Sequence, residues 1–226
     1  AAHVAALRAM AMAGGGSHFH IDMDDRGTDS IRPVAAGHAA AQTFSGDVLQ
    51  FKYVAAHVTI APEDRQDFSI EITNPGRIPM PTISNDGDRI VVDGHLSNRL
   101  GHCDQNSADV RGYTEVALAD MPQIVVHAPR ALRLKYSGAG LAEVGPTQSL
   151  EVDFTGCGGV SSGDVAGKLE VDLSGSGQIH AGAAHSLEAD VAGSGDLITG
   201  AIADGANIDI GGSGAVTMGS LTGTLE

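Results

Sequence analysis

The sequence predicts an all-β protein, and within that class a parallel β-helix with one turn per repeat. Three observations carry this. A 14-residue segment recurs five times from residue 132 onward, with starts separated by 18 or 19 residues. Within each copy, apolar and polar residues alternate and then meet glycines at fixed places. The composition suits a thin core, because 31 glycines, no tryptophan and 4% aromatic residues leave Val, Ile, Leu and Ala to fill it. A fixed period near 20 residues is the mark of stacked repeats, each covering the apolar face of its neighbour.

In chain order, residues 1–16 read as a short Ala-rich helix stopped by Gly14, Gly15 and Gly16, or as an arm that orders on a partner. Residues 17–41 are mixed and loop-like, and 1–41 together form an N-terminal arm. Residues 42–131 form a strand-rich lead-in. Strand signals run through VLQFKYVAAHVTIAP, DFSIEIT and RIVVDGHL, with turns at Pro62-Glu63-Asp64, Asn74-Pro75-Gly76 and Asn85-Asp86-Gly87. Residues 98–112 form a polar loop carrying Cys103, after which TEVALA and QIVVHAP resume the strands.

Residues 132–226 are the regular part. The copies are LRLKYSGAGLAEVG (132–145), LEVDFTGCGGVSSG (150–163), LEVDLSGSGQIHAG (169–182), LEADVAGSGDLITG (187–200) and ANIDIGGSGAVTMG (206–219). Leu225 falls where a sixth would begin. Side chains alternate across a strand, so Leu150, Val152 and Phe154 face inward while Glu151, Asp153 and Thr155 face out. Ala142, Val160, Ile179, Leu197 and Val216 make a second inward column. Thr147, Val165, Ala184, Ile202 and Leu221 make a third. Glycines between the columns are corners, where positive φ or close backbone approach excludes a side chain. A leucine-rich repeat would show a fixed Asn. The calcium-binding nonapeptide coil would place Asp regularly after Gly-x-Gly, and only Asp196 does so.

The formal net charge of −15 excludes the basic footprint that nucleic-acid binding needs. No apolar run reaches the ~18 residues of a spanning helix. Ala1 reads as the start of a processed, exported chain. The two cysteines, Cys103 and Cys157, suit one disulfide in an oxidising compartment. Cys157 takes the place held by Ala139, Ser176, Ser194 and Ser213 in the other copies, where a small residue is required.

Asp153, Asp172, Asp190 and Asp209 form an outward column beside Glu151, Glu170, Glu188 and Asn207. In register, like charges would stand ~4.8 Å apart and repel. Ca²⁺ would relieve this. The plainer reading is a solvated acidic face, partly neutralised by Arg133 and Lys135. His18, His20, Asp22 and Asp24 share one side of SHFHIDMDD if it is extended, which is metal-ligand chemistry without a completing second cluster. Accidental polar alternation explains it as well. No nucleophile–base pairing is legible, and each Gly-Ser-Gly lies between strands with no helix after it to hold a phosphate. No catalytic, cofactor-binding or metal residue is therefore assigned, and no cofactor is expected.

The copies SLEVDFTGCG, KLEVDLSGSGQI and SLEADVAGSGDL, preceded by QIVVHAPRALRLKYSGAG, resemble the bacterial auto-transporter adhesin, head GIN domain family. Residues 45–226 follow its order, with DVLQFKYVAAHVTIAPED at its first hairpin. The resemblance implies a right-handed parallel β-helix in an exported or cell-surface protein, and it implies no catalytic residues. Residues 1–41 lie outside it, and the loop around Cys103 resembles an insertion.

The functional expectation is a non-enzymatic structural protein of the cell surface or extracellular matrix, with the periplasm as an alternative location. Its partner is another copy of itself, joined head to tail into filaments through an uncapped end and the N-terminal arm. The alternative is an adhesin-like module that recognises a glycan or surface through its outward columns.

Overall fold

The computed structural model describes residues 34–113 and 115–226. The helix or arm expected over 1–16 and the His18/His20/Asp22/Asp24 cluster lie outside the described residues. The described chain is all-β, a large mixed sheet of 15 strands with a separate three-stranded sheet.

The lead-in contributes β1 (Gly37–Phe44), β2 (Val48–Glu63), β3 (Phe68–Asn74), β4 (Thr82–Asp86) and β5 (Arg89–Asp93). An excursion follows: β6 (Leu100–Cys103), β7 (Ser107–Val110), β8 (Val116–Ala117) and a 3-10 turn, Leu118–Asp120. The chain then returns through β9 (Gln123–Pro129). The repeats supply β10 (Ala131–Val144), β11 (Ser149–Gly156), β12 (Gly159–Ser162), β13 (Val165–Leu173) and β14 (Gln178–Ala181). They continue with β15 (Ala184–Val191), β16 (Asp196–Ile210), β17 (Ala215–Leu221) and β18 (Thr224–Leu225).

Each repeat pairs in parallel with the next, in the register set by the 18–19-residue spacing. Leu132 lies beside Leu150, Leu150 beside Leu169, Leu169 beside Leu187, Leu187 beside Ala206, and Ala206 beside Leu225. A second ladder aligns Ala142, Val160, Ile179, Leu197 and Val216. A third aligns Thr147, Val165, Ala184, Ile202 and Leu221. The three inward columns are therefore real, and through Ile202 they are buried. Burial of each Val, Leu or Ile side chain in them stabilises by roughly 1.5–3 kcal/mol.

The corner glycines are required mainly by crowding. Among the Gly-x-Gly corners only the first, Gly138 and Gly140, has positive φ, 151° and 90°. In every copy a Cβ on these glycines would strike backbone. At Gly175 it would run into the carbonyl oxygen of Gly156, one repeat earlier. Backbone hydrogen bonds continue round these corners, from Ser176 N to Gly156 O (2.9 Å) and from Ser194 N to Gly175 O (3.1 Å). A side chain there would force the ladders apart.

The lead-in departs from the sequence reading in three places. Residues 37–41, read as part of a loop-like arm, belong to β1, which pairs antiparallel with β3. DVLQFKYVAAHVTIAPED is one long strand, not a hairpin. β2 bends at Tyr53, whose φ is 48°, and pairs in parallel on both sides, with β5 and β9 on one and β10 on the other. The chain thus builds β2, descends to β3, β4, β5 and β9, and returns above β2 at β10. The loop at 98–112 contains the β6–β7 hairpin.

Two apolar clusters result. The larger runs the length of the stack, with Phe51, Tyr136 and Phe154 at successive levels. Tyr136 and Phe154 are stacked with ring centroids 5.7 Å apart. The smaller packs Ile78, Leu96, Val110, Val116 and Met121 over Ala55 and Ala139 on the outside of the corner. Cys103 and Cys157 are bonded across this cluster, with Cα atoms 5.5 Å apart, within the usual span. The disulfide fastens the excursion to the second repeat.

Candidate functional site

The outer face of the first ladder carries the charges. Inward Leu, Val and Phe residues oblige the intervening positions to face solvent, so register decides which charges meet. Asp153, Asp172, Asp190 and Asp209 stand in one line, and Glu151, Glu170, Glu188 and Asn207 in the next. Arg133 Nε donates to Glu151 Oε2 at 2.7 Å, and Lys135 Nζ to Asp153 Oδ2 at 2.6 Å, the two neutralising contacts read from the sequence. The Glu151 carboxylate holds the Arg133 guanidinium above its ordinary pKa.

Lys168 was missed. Its ammonium bridges Glu170 at 2.8 Å and Glu188 at 2.5 Å, and hydrogen bonds to these two carboxylates push its pKa up to about 12. The signal was available, because Lys168 lies two positions before Glu170 and so on the same face. No described Lys, Arg or His pairs with Asp172, Asp190 or Asp209. Among the described residues, no three His, Cys, Asp or Glu side chains converge as a metal site would need. The two carboxylates at a level, such as Glu170 and Asp172, stand two residues apart on one flat face and do not enclose an ion.

Beside these columns a cleft of about 680 Å³ runs across successive levels, from Asp47 and Asp64 through Arg130 and Arg133 to Lys168. Its charges alternate in sign, and several are paired. Arg130 Nε donates to Asp64 Oδ1 at 2.6 Å, and Arg65 Nε to Asp67 Oδ1 at 2.8 Å. Planar donors and acceptors set side by side, flanked by Leu132 and Leu150, can hydrogen-bond hydroxyl groups. They supply no activated nucleophile.

The second ladder has a polar row of its own. Gln123 Nε2 donates to the carbonyls of Leu118 and Met121, which turns its Oε1 toward His57 Nδ1 at 2.9 Å. His57 Nε2 faces Glu143 Oε2 at 2.8 Å. The ring therefore ties β9, β2 and β10 together, a structural use of histidine that no local pattern in the sequence signals.

No family model matches this sequence, and no curated protein matches it. Among solved structures, a "putative adhesin" from Parabacteroides distasonis superposes with a TM-score of 0.42 at 12% identity, covering 84% of this chain and 96% of that one. Another "putative adhesin", from Bacteroides fragilis, gives 0.42 at 14% identity with the same coverage of both chains. A "putative lipid binding protein" from Parabacteroides distasonis gives 0.29 at 12% identity, covering 83% and 97%.

Proposed function

We propose that the protein is a non-enzymatic structural element of an exported surface or extracellular matrix, and that its copies associate head to tail. The three ladders are read as the walls of a right-handed parallel β-helix, the hand that right-twisted strands favour in parallel crossovers. Residues 132–226 are its regular turns, 42–131 its lead-in, and 1–41 an arm whose last residues extend into β1. The Cys103–Cys157 bond supports export, since disulfides persist in oxidising compartments.

One observation carries the self-association. Toward the β17–β18 edge of the described residues the inward columns come into solvent: Leu225 is 60% exposed and Ile210 45%, while Leu187 and Val191, earlier in their respective columns, are buried. A stacked repeat buries its apolar columns only against a further level. Electron microscopy and sedimentation velocity over a concentration series test this reading. Polymers that grow with concentration are expected. A single monomeric species at every concentration overturns it.

The alternating charges of the cleft between Asp64 and Lys168 favour a second reading, an adhesin-like module that binds a surface glycan. On that reading the protein remains monomeric and is retained on a glycan array, and Arg130→Gln lowers the retention.

A further inference from the structure

Among the described residues, the first two ladders are equal in length and offset by one level. The first comprises β4, β5, β2, β10, β11, β13, β15, β16 and β18. The second comprises β1, β3, β9, β2, β10, β12, β14, β16 and β17. Both share β2 and β10 as fixed levels, because each of these strands turns the corner from one ladder into the other. Counted from β2, the second ladder reaches three levels down to β1, whereas the first reaches two levels down to β4. In the other direction the second ladder stops at β17, five levels up, and the first continues to β18, six levels up. One end of the stack thus projects on the second ladder, and the opposite end projects on the first by the same single strand.

We infer that a second copy of this chain docks on the β17–β18 edge with its own β1–β4 edge, by a shift of nine levels along the stack, β1 against β17 and β4 against β18. The inference rests on the self-association proposed above and specifies its interface. With this shift the two steps interlock, and neither ladder is left with a gap or an overlap. Strand direction agrees. β3 is antiparallel to β9, and β1 is antiparallel to β3, so β1 runs in the same sense as β9, β2 and β17. The β17–β1 junction is then parallel, like every other pairing among the repeats. β4 is antiparallel to β5 and makes an antiparallel junction with β18.

The side chains fit the same contact. β1 (GHAAAQTF) and β17 (AVTMGSL) contain no Lys, Arg, Asp, Glu or Pro, the residues with which edge strands are usually guarded against pairing. Val216 and Met218 on β17, and Ala39 and Phe44 on β1, are half-buried apolar residues aimed at the core. Among the described residues, no further level covers them at either end. Their strands have similar lengths, 7 and 8 residues. A contact between opposite ends does not close on itself, so repetition gives a fibre and not a ring. With neighbouring strands ~4.8 Å apart, nine levels give an axial repeat of about 43 Å. The net charge of −15 on each copy opposes the contact and is screened by salt.

The test uses residues 1–226, without truncation, at rising concentration in low and high NaCl. Thr217→Cys on β17 is combined in turn with His38→Cys and Thr43→Cys on β1. Expected are salt-promoted fibres with an axial repeat of about 43 Å, a ladder of disulfide-linked oligomers on non-reducing gels for at least one pair, and loss of fibres in Val216→Lys. Far-UV circular dichroism of Val216→Lys must match the parent, and Gln42→Pro on the opposite edge must give the same loss. Fibres that form without the cross-link, with a different repeat, and undisturbed by both edge substitutions would overturn this interface while leaving self-association intact. A monomer under every condition would remove both.

Discussion

Residues 132–226 and residues 34–131 build two parts of one stack by opposite means. In the repeats, each strand finds its partner 18 or 19 residues away, and the same inward columns recur at every level. In the lead-in, β2 has no partner near it in sequence. It pairs with β9, where His57 meets Gln123, and with β10, where Leu49 meets Leu134. The repeats are tightened by glycine corners in which backbone lies against backbone. The lead-in replaces the glycine bend by Tyr53 at positive φ and then covers the corner with a separate apolar cluster and a disulfide. A periodic part can be extended level by level because each level supplies the template for the next. The lead-in has to be assembled from contacts far apart in the chain, and its loop closures cost entropy before those contacts repay it.

The largest expected effect separates the two parts directly. Replacing Cys103 and Cys157 by Ser releases a closed loop of 54 residues, and loop entropy alone puts the loss at about 4 kcal/mol. Denaturant unfolding of the double variant should show that loss. Limited proteolysis should then cut between residues 94 and 121 before it cuts the repeats. If both parts are cleaved together, they form one cooperative unit and the contrast is weaker than stated.

Next comes the corner. Gly175→Ala places a methyl group against the Gly156 carbonyl and should cost about 3 kcal/mol. Gly211→Ala, where an added Cβ meets nothing within 4 Å, should change stability by less than about 0.5 kcal/mol. Equal urea midpoints for the two variants would show that crowding is not what fixes the glycines.

At the junction between the parts, Tyr136 is buried between Phe51 and Phe154, and its hydroxyl donates to Ala139 O at 2.8 Å. Burial raises the Tyr136 pKa and keeps the phenol neutral. Tyr136→Phe preserves the ring stack, removes that hydrogen bond and should cost about 1 kcal/mol, read from the thermal midpoint.

The smallest effect lies on the acidic face. Lys168 is half exposed, so Lys168→Met should cost under about 1 kcal/mol. Because its pKa is raised above the ordinary 10.5, its contribution is complete below about pH 10.5 and disappears as the pH rises through about 12. A stability–pH profile of the variant should lack that step, and an unchanged profile would remove Lys168 from the account of the face.

The all-β class, the three inward columns and the register of every repeat were legible, because register in a stack is set by sequence spacing and the spacing is printed in the chain. The Arg133–Glu151 and Lys135–Asp153 contacts followed from that register. The bent strand β2 was not legible. Val48–Glu63 alternates like any strand, and neither its second neighbour nor the place of its bend has a local mark. Nor was the strand at 37–44, whose run of alanines carries little strand preference and pairs only because β3 offers an edge.

The sequence by itself determined the level spacing, the inward columns and the ranks of like charge, since each depends on residues a fixed distance apart. Only the tertiary structure decided that β2 lies between levels built later in the chain, that His57 ties β9, β2 and β10 into one row, and that the two ladders finish one strand out of step. Those outcomes depend on which free edge a distant segment meets when the chain closes its long loops, and alternation along a single strand carries no information about its partner.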